Sequence, residues 1–115
     1  MIEIHGRVIW KKNNTKVGRG FVYKSKSWMR FEKQALTQLA AVRGHFTGPI
    51  KVTYIFYLKG RLNLDLDNGI ASINDVLQKA GIIDDDKNVV EIEAKKINGN
   101  KDWKTIIDIA KDGIW

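Results

Sequence analysis

Two short acidic runs stand out in an otherwise basic chain: Asp65-Leu66-Asp67-Asn68 and Asp84-Asp85-Asp86. Carboxylates two residues apart can converge on one cation when the backbone between them is extended, because alternate side chains leave the same face. Mg²⁺ takes oxygen ligands of this kind and keeps several waters, so such a site can bind a phosphodiester oxygen and activate a water nucleophile. A competing explanation makes Asp67 a helix N-cap whose carboxylate receives backbone N–H groups. In the second run, three adjacent acids repel one another. Their concentration in a basic chain points to a cation site or a pocket of elevated carboxyl pKa, against the plainer reading of a solvated acidic turn.

The charge balance says what such chemistry would act on. Twenty Lys and Arg against thirteen Asp and Glu give a net charge of +7 and a pI near 9.7. A surface of that sign favours a polyanion: phosphate-rich partners gain from counterion release and nucleic acid is the commonest of them, against the plainer reading of a merely soluble basic domain. Lys11, Lys12, Lys16 and Arg19 surround Asn13-Asn14, Gly18 and Gly20, and this basic segment offers cations and free backbone amides to phosphate. Trp10, Tyr23 and Trp28 flank it and could stack on bases, although core packing is the simpler role for them.

Other chemistries find no support. There is no cysteine, so disulfides and Cys-based zinc sites are excluded. His5 and His45 belong to no metal-binding spacing, no Ser-His-Asp set is visible, and Gly18-Arg19-Gly20 lacks a phosphate-loop lysine. No apolar run approaches the roughly 20 residues that span a bilayer, and residues 1 to 10 lack the apolar core of a signal peptide, so the expected compartment is the cytoplasm and no membrane partner is expected.

The elements that must carry these residues are readable from periodicity. The length of 115 residues suits one domain, 1–115. Ile2 to Ile9 nearly alternates and predicts a strand, and Phe21-Val22-Tyr23 a short second one. From Ser27, the expected N-cap, Trp28, Phe31, Ala35, Leu36, Leu39 and Ala40 share one helical face. Ile50, Val52, Tyr54, Phe56 and Leu58 alternate strictly and predict a long strand. Ile70, Ile73, Val76, Leu77 and Ala80 form a second helical stripe, capped by Asp67 or Asn68 and ended by Gly81. Val89 to Ala94 and Thr105 to Ile109 read as two more strands around a turn at Asn98-Gly99-Asn100. The expected fold is α+β in the order ββαβαββ, with helices on a mixed or mostly antiparallel sheet. A helix over Asn68 to Ala80 is roughly 18 Å long. Either the chain after Gly81 folds back along it to join the two acidic runs, or a partner subunit supplies the second.

Asp65-Leu-Asp-Asn, then Asp75-Val-Leu-Gln-Lys-Ala-Gly81, then Asp85-Asp86-Lys-Asn-Val-Val resembles the signature of the RusA family of Holliday junction resolvases. The likeness covers about a third of the chain, from Leu58 to Lys96. It implies a RusA-like α+β fold and a Mg²⁺-dependent endonuclease acting at four-way DNA junctions in recombination and repair. It also implies a homodimer, catalytic metal ligands at Asp65, Asp67 and Asp86, and accompanying roles for Asn68 and Asp85. Two departures bear on activity. The family has a catalytic lysine three residues after the motif asparagine, where this chain has Ala71, and a basic residue is common just before the first Asp, where it has Leu64. Lys59, Arg61, Lys87, Lys95 and Lys96 are candidate substitutes, and Lys96 matches a lysine that follows the Val-Val strand in the family. Arg61 and Lys96 join the basic segment as expected DNA contacts. The missing lysine also motivates an alternative, a non-catalytic protein that binds branched DNA.

Overall fold

The computed structural model describes residues 1–9, 15–18, 21–61 and 64–111, with backbone alone at 15–18 and 21–24. Strand β1 is Ile2–His5, β2 Thr15–Gly18 and β3 Phe21–Lys24; helix α1 is Lys26–Leu39; β4 is Ile50–Lys59; helix α2 is Leu66–Lys79. A short 3₁₀ turn, Asp86–Asn88, leads into β5, Val89–Asn100, and β6 is Lys104–Lys111. The fold is α+β, and the ββαβαββ order is present with one strand added: Thr15–Gly18, in the basic segment to which the sequence assigned no element, pairs antiparallel with β3.

Both helices cover one face of a four-stranded sheet of order β1-β6-β4-β5. The sheet is mixed. β1 with β6 and β4 with β6 are antiparallel, while β4 with β5 is parallel because α2 carries the chain back to the sheet's starting end between them. Ile50, Val52, Tyr54, Phe56 and Leu58 of β4 are fully buried, and alternate residues Lys51, Thr53, Ile55 and Tyr57 face the opposite, half-open side. Trp28, Phe31, Ala35 and Leu39 of α1 and Ile73, Val76 and Leu77 of α2 close the same core. Truncating any one of the larger side chains to Ala would cost about 2–5 kcal/mol. Lys79 of α2 bridges Glu32 of α1 at 2.5 Å and Asp75 at 3.1 Å, its ammonium 5.9 Å from the Trp28 ring. The motif acid Asp75 thus helps lock the helices together.

Boundaries differ from expectation for local reasons. β1 stops at His5 because Gly6 turns with φ 112°, yet Val8 still reaches the core. The N-cap of α1 is Ser25, not Ser27: Ser25 is extended and its Oγ accepts the Trp28 N–H at 3.1 Å, whereas Ser27 already lies in the first turn. α2 starts at Leu66, with Asp65 at the N-cap position. Asn98-Gly99-Asn100 is not the turn after β5 but its last stretch. Pairing with β4 runs to Lys59 opposite Asn100, with a register shift absorbed by Gly99 at φ 83°.

Candidate metal and nucleic-acid site

The Asp65-Leu66-Asp67-Asn68 motif sits where β4's exit reaches the first turn of α2. Leu64 is buried, Asp65 is extended at φ −70° and ψ 126°, and the helix begins at the next residue. Asp65 and Asp67 therefore do not leave one face of a continuing strand as expected, since Asp67 is already helical. Neither is Asp67 the cap. Asp65 holds the cap position but makes no side-chain cap bond, its carboxylate instead accepting the Asn68 side-chain amide at 3.3 Å. Both carboxylates stay exposed beside the helix's free N–H groups, which favour negative charge there.

Two features seat this turn. Gly69 packs so closely on the sheet that a Cβ would stand 2.9 Å from Leu64 Cδ2 and 3.1 Å from Phe56 Cζ, so no larger residue lets α2 approach β4 this way. From the neighbouring strand, Lys96 Nζ donates to the Leu64 carbonyl at 3.1 Å, which brings a cation to the residue preceding Asp65. Ala71 is exposed on α2. Among the cations weighed for its missing charge, Lys96 is the one held at the motif by a hydrogen bond.

The three acids of the second run do different things. Asp84 pairs with His45 Nε2 at 2.8 Å, while His45 Nδ1 donates to the Gly81 carbonyl at 2.6 Å, so this histidine pins the loop after α2. Asp85 caps the 3₁₀ turn by accepting the Lys87 N–H at 3.0 Å. That backbone bond and the side-chain hydrogen bond with Asp86 hold its carboxyl below the usual carboxylate range. Asp86 is pushed the other way, first by its hydrogen bond to Asp85, then by desolvation and by the Asp85 charge. The Asp86 N–H donates to Gln78 Oε1 at 3.3 Å, which draws the turn back against the last turn of α2.

Between the two runs lies a contact that sequence reading missed. The Tyr54 hydroxyl, at the centre of β4, donates to Asn74 Oδ1, and both residues are buried. Burial first, reinforced by the Asp86 charge, pushes the phenol up to about 12. The available signal was a polar Asn within the apolar stripe between Ile73 and Val76.

Within one chain, then, Asp65 and Asp67 share one end of α2, and Asp86 lies against its last turn. Among the described residues no group of three His, Cys, Asp or Glu side chains is gathered as a metal ion would need. The Asp65–Asp67 pair, exposed and oxygen-only, suits a hard cation that keeps most of its waters; the third carboxylate is not gathered with it. Arg61 is exposed just past β4, on the approach to Asp65. Lys11, Lys12 and Arg19 lie outside the described residues, and Lys16 is described only as backbone in β2. His5 pairs with Glu3 at 3.3 Å, and its backbone N–H and carbonyl clasp the Gln38 amide at 2.7 and 2.9 Å, a structural use. Trp28 is core. No described helix is long and apolar enough to cross a membrane.

A mixed sheet with helices on one face, acids at both ends of the crossover helix and a cation at its start make up one α+β domain. The profile of the family described as Endodeoxyribonuclease RusA matches residues 4–110, and the chain belongs to that nuclease family. Among curated proteins, none is similar to the chain at a significant level.

Proposed function

We propose that the protein is a Mg²⁺-dependent endonuclease that cuts phosphodiesters at four-way DNA junctions, as a homodimer working in the cytoplasm in recombination and repair. The observation that carries this reading is the coincidence of the family match with an intact Asp65-Leu66-Asp67-Asn68 motif at the start of α2. In this reading Asp65, Asp67 and Asp86 would be the catalytic ligands of Mg²⁺, and because Asp86 lies against the far end of α2 within one chain, the third carboxylate would come from Asp86 of the partner subunit. The ion supplies Lewis-acid polarisation of the phosphate and lowers the pKa of a water. Asn68 orients Asp65, and Asp85 tunes Asp86 through the hydrogen bond and the charge beside it. Lys96 stands where an ammonium can stabilise charge developing on the phosphoryl group, taking over from the lysine absent at position 71. Lys11, Lys12, Lys16, Arg19 and Arg61, with Lys96, contact the backbone of the junction. A two-fold dimer matches the approximate two-fold symmetry of a junction and gives paired cuts.

The test is cleavage of a labelled synthetic junction with and without Mg²⁺ by the wild-type chain and Asp67→Asn. The expected result is cutting that needs Mg²⁺ and falls by about a hundredfold or more in the variant, as for loss of one transition-state stabilising group. Equal cutting by Asp67→Asn refutes the site. One observation favours a second reading, non-catalytic binding of branched DNA: Ala71 leaves α2 without the family's lysine. Salt-sensitive junction binding with no cleavage in Mg²⁺ or Mn²⁺ would select it.

A further inference from the structure

β5 ends the sheet. It is twelve residues long, pairs with β4 on one side, and no described strand pairs with its outer edge. Proteins commonly blunt such an edge with proline, a short strand, a bulge or charged side chains. Here there is no proline, and the seven residues Glu91 to Ile97 run in unbroken register along β4, with the register shifts lying outside them. Val90, Ile92 and Ile97 are 46%, 48% and 36% exposed, high for branched aliphatics on a strand.

The charges along this edge are ordered. Glu91 and Glu93 come first, Lys95 and Lys96 last, with Ala94 between them. A strand acidic in one half and basic in the other is complementary to itself run in reverse. We propose that β5 is the dimer interface, pairing antiparallel with β5 of a second copy about a two-fold axis through Ala94, so that the two sheets join into one of eight strands. This deepens the homodimer reading above and rests on it for the number of copies, but not on the nuclease chemistry.

Symmetry and charge together fix the register. A two-fold axis normal to the sheet returns each side chain to the face it left, so a residue can oppose only itself or one an even number of positions away. Centring on Glu93 sets that carboxylate against its own copy, and centring on Lys95 sets two ammoniums together. Centring on Ala94 sets Glu93 opposite Lys95 twice, and Ile92 opposite the aliphatic stem of Lys96 twice, with small methyl groups on the axis where the two copies approach most closely. Glu93 is already turned toward the open face of the sheet by Lys51, 3.5 Å away, which also holds Glu91 at 3.2 Å. Among the described residues Lys95 makes no ion pair, leaving it for the partner's carboxylate. The two α2 helices then lie on the same face of the joined sheet and run in opposite directions.

The chain has no cysteine, so engineered thiols report this interface cleanly. Under mild oxidation Ala94→Cys should form a covalent dimer, since opposed strand residues fall within disulfide reach. Ile92→Cys and Lys96→Cys should link in a mixture of the two and not each alone. Sedimentation equilibrium supplies the second measurement. Lys95→Glu or Glu93→Lys alone should weaken the dimer roughly tenfold or more, and mixing the two variants should restore it as a heterodimer. Circular dichroism of each variant separates lost pairing from lost folding. A wild-type dimer that resists cross-linking at Ala94 overturns the β5 interface and leaves the homodimer reading standing. A wild-type chain that sediments as a monomer and does not cross-link overturns both.

Discussion

Replacing Tyr54 by Phe tests what holds α2 in place between the two acidic runs. The substitution removes one oxygen from a fully buried ring and opens almost no cavity, so its cost is that of the hydrogen bond and not of packing. The bond's acceptor, Asn74 Oδ1, belongs to a residue only 8% exposed. Leaving it without its donor in that environment costs about 1–3 kcal/mol, more than the bond's own net worth of about 1 kcal/mol. For a domain of this length that is a fall in Tm of roughly 4–12 °C. The pH dependence follows from the phenol's value of about 12 in the folded chain. A raised folded pKa means stability fully present below the unfolded value near 10 and lost as pH climbs through about 12. The gap between wild type and Tyr54→Phe should therefore be constant through neutral pH and close only in strong alkali. Urea unfolding with unchanged m-value reads the loss, and a double-mutant cycle with Asn74→Leu should return a coupling of about 1 kcal/mol. Additive effects of the two substitutions, or a loss below about 0.5 kcal/mol, would refute the claim that this bond fixes α2 to the sheet.

Two further outcomes follow from the site. Ala71 is exposed one turn into α2, where Lys costs little helix propensity, so Ala71→Lys should keep the fold and raise the Mg²⁺-dependent single-turnover rate of junction cleavage. A lower rate with an intact circular dichroism spectrum would mean that Lys96 already fills the role. In the Asp85–Asp86 pair, the raised carboxyl of Asp86 favours its protonated form, and protons compete with a cation for it, so cleavage should decline as pH falls through its raised value. Asp85→Asn removes the bond and charge that raise it, and should move the acidic limb of the pH–rate profile to lower pH. An unmoved limb in single-turnover assays would separate that limb from Asp86.

What was legible in the sequence was whatever local periodicity encodes. Strand Ile50–Lys59 and the helix carrying Ile73, Val76 and Leu77 were visible because a single face must be apolar, and the acidic runs because like charges seldom cluster without a reason. What escaped depends on partners distant in the chain. Thr15–Gly18 becomes a strand through Phe21–Lys24, the Asn98-Gly99-Asn100 stretch stays in β5 because β4 pairs it, and Asn74 is polar because Tyr54, twenty residues earlier, is opposite. The sharpest case is Asp84-Asp85-Asp86, three identical side chains that composition cannot tell apart. His45 claims the first and the Lys87 amide caps on the second. The third is left beside its neighbour's carboxylate, which raises its own pKa, with its backbone drawn against α2 by Gln78. Of the three carboxylates, Asp86 is the one committed among the described residues neither to an ion pair nor to a cap, and so the one whose side chain can turn to a new partner without dismantling the loop that carries it.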